Sequence, residues 1–111
     1  MPITLDFGAF SLPGELFDGE LGEKLHAALP CTIELTWWGA EAYGTIARDL
    51  GESAPQPAIP AGGIAYTNRG NYLCLFFGQT PAWPVEHVGR FCGDGWQRVP
   101  AAHPLRVTVR R

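Results

Sequence analysis

Hydrophobic and polar residues alternate with a period of two along most of this chain. Ile3, Leu5 and Phe7 alternate with Thr4 and Asp6, the pattern of a strand buried on one face. Cys31, Ile33, Leu35 and Trp37 alternate with Thr32, Glu34, Thr36 and Trp38, and a turn at Gly39 leads to a partner strand over residues 41 to 46. Ile64 to Thr67 and Tyr72 to Phe77 flank Asn68-Arg69-Gly70-Asn71, a strong hairpin signal. Val85 to Phe91 reads as another strand. In the last one, Leu105, Val107 and Val109 alternate with Arg106, Thr108 and Arg110.

One stretch alone carries the helical period. Leu21, Leu25, Ala28 and Leu29 fall on one face, Asp18 is placed to cap the first turn, and Pro30 ends it after about ten residues. Pro13-Gly14 predicts a turn before Leu16-Phe17. Residues 49 to 62 contain three prolines and no period, so they predict a loop. Gly93-Asp94-Gly95 predicts a turn that opens a short helical turn at Trp96. The expectation is seven or eight strands and one helix, in a single domain over residues 1–111. Strands so many and so closely spaced predict a sandwich or a closed barrel.

Residues 72 to 77, YLCLFF, break the alternation by being apolar on both faces. Leu73, Leu75 and Phe77 point one way; Tyr72, Cys74 and Phe76 point the other. Full burial of a Leu or Phe contributes about 1.5–3 kcal/mol, so each face needs a cover and the strand must be central. Pro81 and Pro84 cannot donate to a ladder. Pairing stops there, and Gln79, Thr80 and Trp83 are delivered to a rim.

Composition narrows the function classes. Hydrophobic residues make up 46% and charged residues 17% of the 111, a globular balance. No apolar run reaches membrane-span length and no basic segment precedes an apolar one near the N-terminus, so the expectation is a cytoplasmic protein with no membrane partner. The net charge of −3 hides an asymmetry: residues 1 to 60 hold nine acids and two bases, residues 61 to 111 two acids and six arginines. Those arginines are scattered, without the aromatic interleaving of an RNA-binding strand, so no nucleic-acid partner is expected. Cys31, Cys74 and Cys92 form no C-x-x-C pair and read as small buried hydrophobes. His26, His87 and His103 lack ligand spacing, and phosphate-loop and nucleophile-elbow motifs are missing. No metal and no cofactor is expected.

The run GIAYTNRGNYLCLFFGQT over residues 63 to 80 resembles the hairpin of cyclophilins, with Asn68, Gly70, Phe76, Phe77 and Thr80 at matching places. VEHVGRF over residues 85 to 91 is similar to a later cyclophilin strand. More closely, WGAEAY with IAYTNRGNYLCLFFGQTP resembles a family of short bacterial and archaeal cyclophilin-like proteins of undefined activity. The resemblance implies a mainly β fold: a closed, mostly antiparallel barrel of about eight strands, capped by helices, with a groove on its outer wall. It also implies a departure. The place of the isomerase arginine falls in Ala42-Tyr43-Gly44-Thr45, which has none, and the groove histidine falls on Val85. Standard prolyl isomerase activity is not expected, because a barrier of about 18–20 kcal/mol needs a donor aimed at the twisting amide.

Within such a groove the candidate ligand-binding residues are Trp38, Tyr43, Tyr66, Asn68 and Phe77, with Glu41 and Arg69 as polar anchors. Trp38 puts a large ring on an otherwise polar face. Glu41 and Tyr43 are two apart and share a face, so a carboxylate and a phenol can converge. His87 titrates near neutral pH and, with Glu41 and Tyr43, forms the candidate set for proton transfer. Three functions compete at this point: a binding module for a small molecule or extended peptide, an enzyme (an atypical isomerase or an acid–base catalyst), and an interaction domain with an aromatic rim.

Overall fold

The alternating segments form the strands they predict. The computed structural model describes residues 1–111. Its strands are β1 Pro2–Asp6, β2 Ser11–Leu16, β3 Cys31–Glu34, β4 Thr36–Trp38, β5 Glu41–Thr45, β6 Gly63–Thr67, β7 Tyr72–Phe76, β8 Glu86–Phe91 and β9 Arg106–Arg110. All nine join one antiparallel sheet in the order β3-β9-β1-β2-β8-β6-β7-β5-β4. The two ends of that order, β3 and β4, are consecutive in sequence and separated by Leu35 alone. The sheet therefore curls into a nearly closed barrel whose seam is one residue wide. Gly44 permits the closure: a Cβ there would land on the Glu34 carbonyl and the Ile33 side chain.

Three elements differ from the sequence expectation. Residues 31 to 38 are two strands, because the chain passes from one end of the sheet to the other at Leu35, whose N–H donates to the Leu105 carbonyl at 2.8 Å. Alternation runs straight through this crossing, so it leaves no sequence signal. Pro13-Gly14 lies inside a strand, β2, and is no turn. Pro13 faces Thr4 in β1 and stands just before the β2–β8 ladder, which starts at Gly14, so its missing N–H removes no rung. A second helix, α2 Arg98–Ala102, follows a 3-10 turn at Gly95–Gln97.

The predicted helix, α1 Glu20–Ala27, is eight residues long. Its N-cap is Gly19 and not Asp18, with φ of 142°, a backbone region open to glycine. Leu21 and Leu25 face inward, and Leu29 follows them into the core. The hairpin turn is as expected, with Gly70 and Asn71 at positive φ. Of the cysteines only Cys74 is buried; Cys31 is half-buried and Cys92 exposed, and all three are free.

Two apolar clusters lie on opposite sides of the wall. The barrel interior holds 20 buried residues, among them Ile64, Tyr66, Leu73, Leu75 and Phe77. A second cluster of five, Ile59, Ala65, Cys74, Phe76 and Val85, lies on the outside of β6 and β7. YLCLFF is thus a central stave covered on both faces, between β5 and β6. No helix is long and apolar enough to cross a membrane.

Candidate functional site

The outer cluster floors a pocket of about 360 Å³. Its base comes from alternate residues of adjacent strands: Glu41 pairs with Phe76, Tyr43 with Cys74, and Thr67 with Tyr72. Trp38 stands opposite Glu41 on β4. The far wall is the loop after β7, with Pro81, Ala82 and Trp83, and Val85 closes one end. The ladder ends ahead of the prolines, at Phe77, whose N–H donates to the Ala40 carbonyl at 2.8 Å. Gly78, at φ 123°, follows, and the loop with Pro81 lies over the outer face.

Two side-chain anchors fix this loop. The Trp83 indole N–H donates to Thr67 Oγ1 at 3.0 Å. The Gln79 amide donates to the Trp38 carbonyl at 2.7 Å and accepts from Ala40 N–H at 2.8 Å, so it grips the β4–β5 turn. Gly39, at φ 59°, leaves room for that amide, which a Cβ would strike. Tyr43 and Tyr72 meet edge to face at 5.2 Å. Five aromatic side chains, Trp38, Tyr43, Tyr72, Phe76 and Trp83, line the cavity.

Glu41 is the one charged side chain lining it. The residue is 7% exposed. Burial pushes its carboxyl above the usual range, and a hydrogen bond from the Cys74 thiol acts the other way. The thiol itself is pushed up, first by burial and then by the Glu41 charge and hydrogen bond. Cys74 is therefore a proton-holding neighbour and not a nucleophile.

Of the residues singled out from sequence, Trp38, Glu41 and Tyr43 come together here. The others do not join them. Tyr66 faces the interior, because the turn register pairs it with Leu73. Its hydroxyl accepts from Leu50 N–H at 2.8 Å and has the Asn71 Oδ1 and Arg48 carbonyl oxygens within 3.0 and 3.1 Å. Phe77 is also interior, stacked on Trp37 at 5.7 Å and Trp96 at 6.2 Å. Asn68 sits at the exposed hairpin tip. Arg69 lies 5.3 Å from the centre of the Trp83 ring, beside the pocket and not on its lining.

His87 does not share the cavity. It lies on β8, and β6 and β7 stand between it and β5. It packs edge-on against Phe17 at 4.9 Å; its Nε2 has no hydrogen-bond partner, and burial lowers its pKa. The pocket residues that sequence reasoning did not assign to a site, Thr67, Tyr72, Cys74 and Phe76, were legible through pairing. A four-residue turn at 68–71 sets Thr67 opposite Tyr72, and period two then separates them from Tyr66 and Leu73.

The model of the cyclophilin-like family matches residues 1–110. Among solved structures, the hypothetical protein AF2241 from Archaeoglobus fulgidus superposes with a TM-score of 0.76 at 28% identity, over 100% of this chain and 94% of that one. McbB, solved in complex with tryptophan, superposes with a TM-score of 0.75 at 15% identity. That match covers 98% of this chain and 44% of McbB, and the likeness is one of fold. No curated protein matches the chain.

Proposed function

The chain belongs to the cyclophilin-like family, and from that premise we propose that it is a small-molecule-binding member that lacks orthodox prolyl isomerase activity. One observation carries the reading: five aromatic side chains and a single carboxyl converge on one outer-wall cavity, within the roughly 300–1,000 Å³ of small-ligand sites. A small molecule fits better than an extended peptide. The strands at the sheet ends, β3 and β4, are four and three residues long and offer little ladder for an added strand.

The missing arginine supports the second half of the proposal. No basic side chain lines the cavity, so no guanidinium there is aimed at a prolyl amide as it twists. In a protease-coupled isomerisation assay at micromolar protein, the expected rate is that of the uncatalysed peptide; a clear acceleration overturns this half. Binding is tested by a thermal-shift screen of metabolites, where a ligand at 100 times its dissociation constant adds about 2.7 kcal/mol. A hit that Trp83→Ala abolishes supports the site, and a hit that it leaves intact moves the site elsewhere.

A second reading, acid–base catalysis, has one observation in its favour: a carboxyl with a raised pKa inside a cavity is the setting of a general acid or base. Its machinery would be Glu41 and Tyr43 without His87. Turnover of a bound ligand that Glu41→Gln stops, with binding retained, distinguishes it from binding alone.

A further inference from the structure

The chain has two buried carboxyls, and they are treated differently. Glu86 is 6% exposed and accepts from the backbone N–H groups of Ser53 and Ala54 at 3.1 and 2.9 Å. That is how a structural carboxylate is satisfied. Glu41 is equally buried as a residue, yet no backbone N–H, hydroxyl or cation donates to it, and the one hydrogen bond that reaches it comes from the Cys74 thiol. The protein's basic groups are used elsewhere. Its ion pairs, Glu20–Lys24, Glu15–Arg90, Glu34–Arg106 and Asp6–Arg110, lie on the surface.

Glu41 lines the cavity with no cation and no backbone N–H beside its carboxylate, so the space it faces is complementary to a positive group. The surrounding rings have the same preference, because the faces of Trp and Tyr attract cations. Trp83 shows it within the protein: its ring already carries the Arg69 guanidinium. Carboxyl and rings are independent features with one shared complement.

We propose that the ligand of this pocket is a small organic cation, a protonated amine with a flat or apolar body, its nitrogen against Glu41 and its body among Trp38, Tyr43, Tyr72, Phe76 and Trp83. The inference rests on the reading of this cavity as a ligand site. An anion is rejected by the carboxylate. A neutral analogue fills the apolar space but leaves Glu41 without a counter-charge.

The test uses three probes with one body and different heads: 2-phenylethylamine, 2-phenylethanol and 3-phenylpropionate. Each is titrated at pH 7 into the protein and into Glu41→Gln, and followed by the indole N–H resonances of Trp38 and Trp83. The amine is expected to bind about tenfold or more tighter than the alcohol, as a charge-assisted hydrogen bond gives, and the acid not to bind. In Glu41→Gln, the amine is expected to fall to the level of the alcohol, whose affinity stays unchanged. An alcohol that binds as well as the amine, or an amine preference that survives Glu41→Gln, overturns the cation and leaves the pocket standing. If none of the three moves either resonance, the pocket reading falls as well.

Discussion

The inner and outer faces of the β5–β7–β6 wall are both apolar, yet they are finished differently. Inside, Leu73, Leu75 and Ile64 join a filled core of aliphatic and aromatic side chains, and the Tyr66 hydroxyl, its prominent polar group, has partners on every side. Outside, the cluster is a quarter the size, its rings line an open cavity, and a carboxyl there has the Cys74 thiol as its one protein donor. One strand, β7, serves both. The difference teaches that covering a face and satisfying it are separate achievements: the interior has both, the exterior only the first.

Substitutions on the two faces break this comparison in order of size. Leu75→Ala is expected to cost about 2–5 kcal/mol in denaturant unfolding, through the cavity it leaves in a filled core. Tyr66→Phe removes the acceptor of Leu50 N–H and is expected to cost about 1–3 kcal/mol by the same measurement, because a buried donor is left unpaired. Trp83→Ala, on the outer face, loses a half-exposed ring and one hydrogen bond to Thr67, for about 1 kcal/mol. Its expected signature is a lost thermal shift with ligand, against a modest change without one. If the outer face were a core like the inner, Trp83→Ala would cost as much as Leu75→Ala.

The smallest effect is in pH. The folded Glu41 carboxyl keeps its proton to a higher pH than the ordinary 4.5, so the stability it contributes is present below 4.5 and is lost as pH rises through the raised folded value. The melting temperature of the protein relative to Glu41→Gln is therefore expected to fall as pH climbs from acid toward neutral. His87 has the opposite sign: its contribution is present above 6.5 and is lost as pH falls through its lowered folded value. It is common to both proteins and cancels in the difference. A difference that stays flat with pH would mean that Glu41 is solvated like a surface carboxylate.

The parts of this fold that were legible in sequence are those where local pattern and pairing agree. The two-sided YLCLFF stave, the 68–71 turn and the proline-ended loop follow from residue chemistry, and so does the closed wall they imply. The seam at Leu35 was not legible, because Leu35 points inward in one continuous strand or in two. Strand β2 was hidden because Pro13-Gly14 has turn chemistry, and only its place outside the β8 ladder makes a strand tolerable. At the site, Trp38, Glu41 and Tyr43 were found by sharing a face near one turn. Tyr66 was misplaced by one residue, which in a strand is the whole thickness of the wall. His87 was grouped with Glu41 by its titration range, a property that says nothing of the two strands between them.

The Gln79 amide reaches from the loop after β7 to the turn between β4 and β5, and holds both by their backbones. The β4–β5 turn and the loop that forms the far wall of the cavity are thereby cross-braced by one glutamine side chain. If the cavity is the ligand site proposed above, its frame is fixed in advance and little ordering remains to be done on binding.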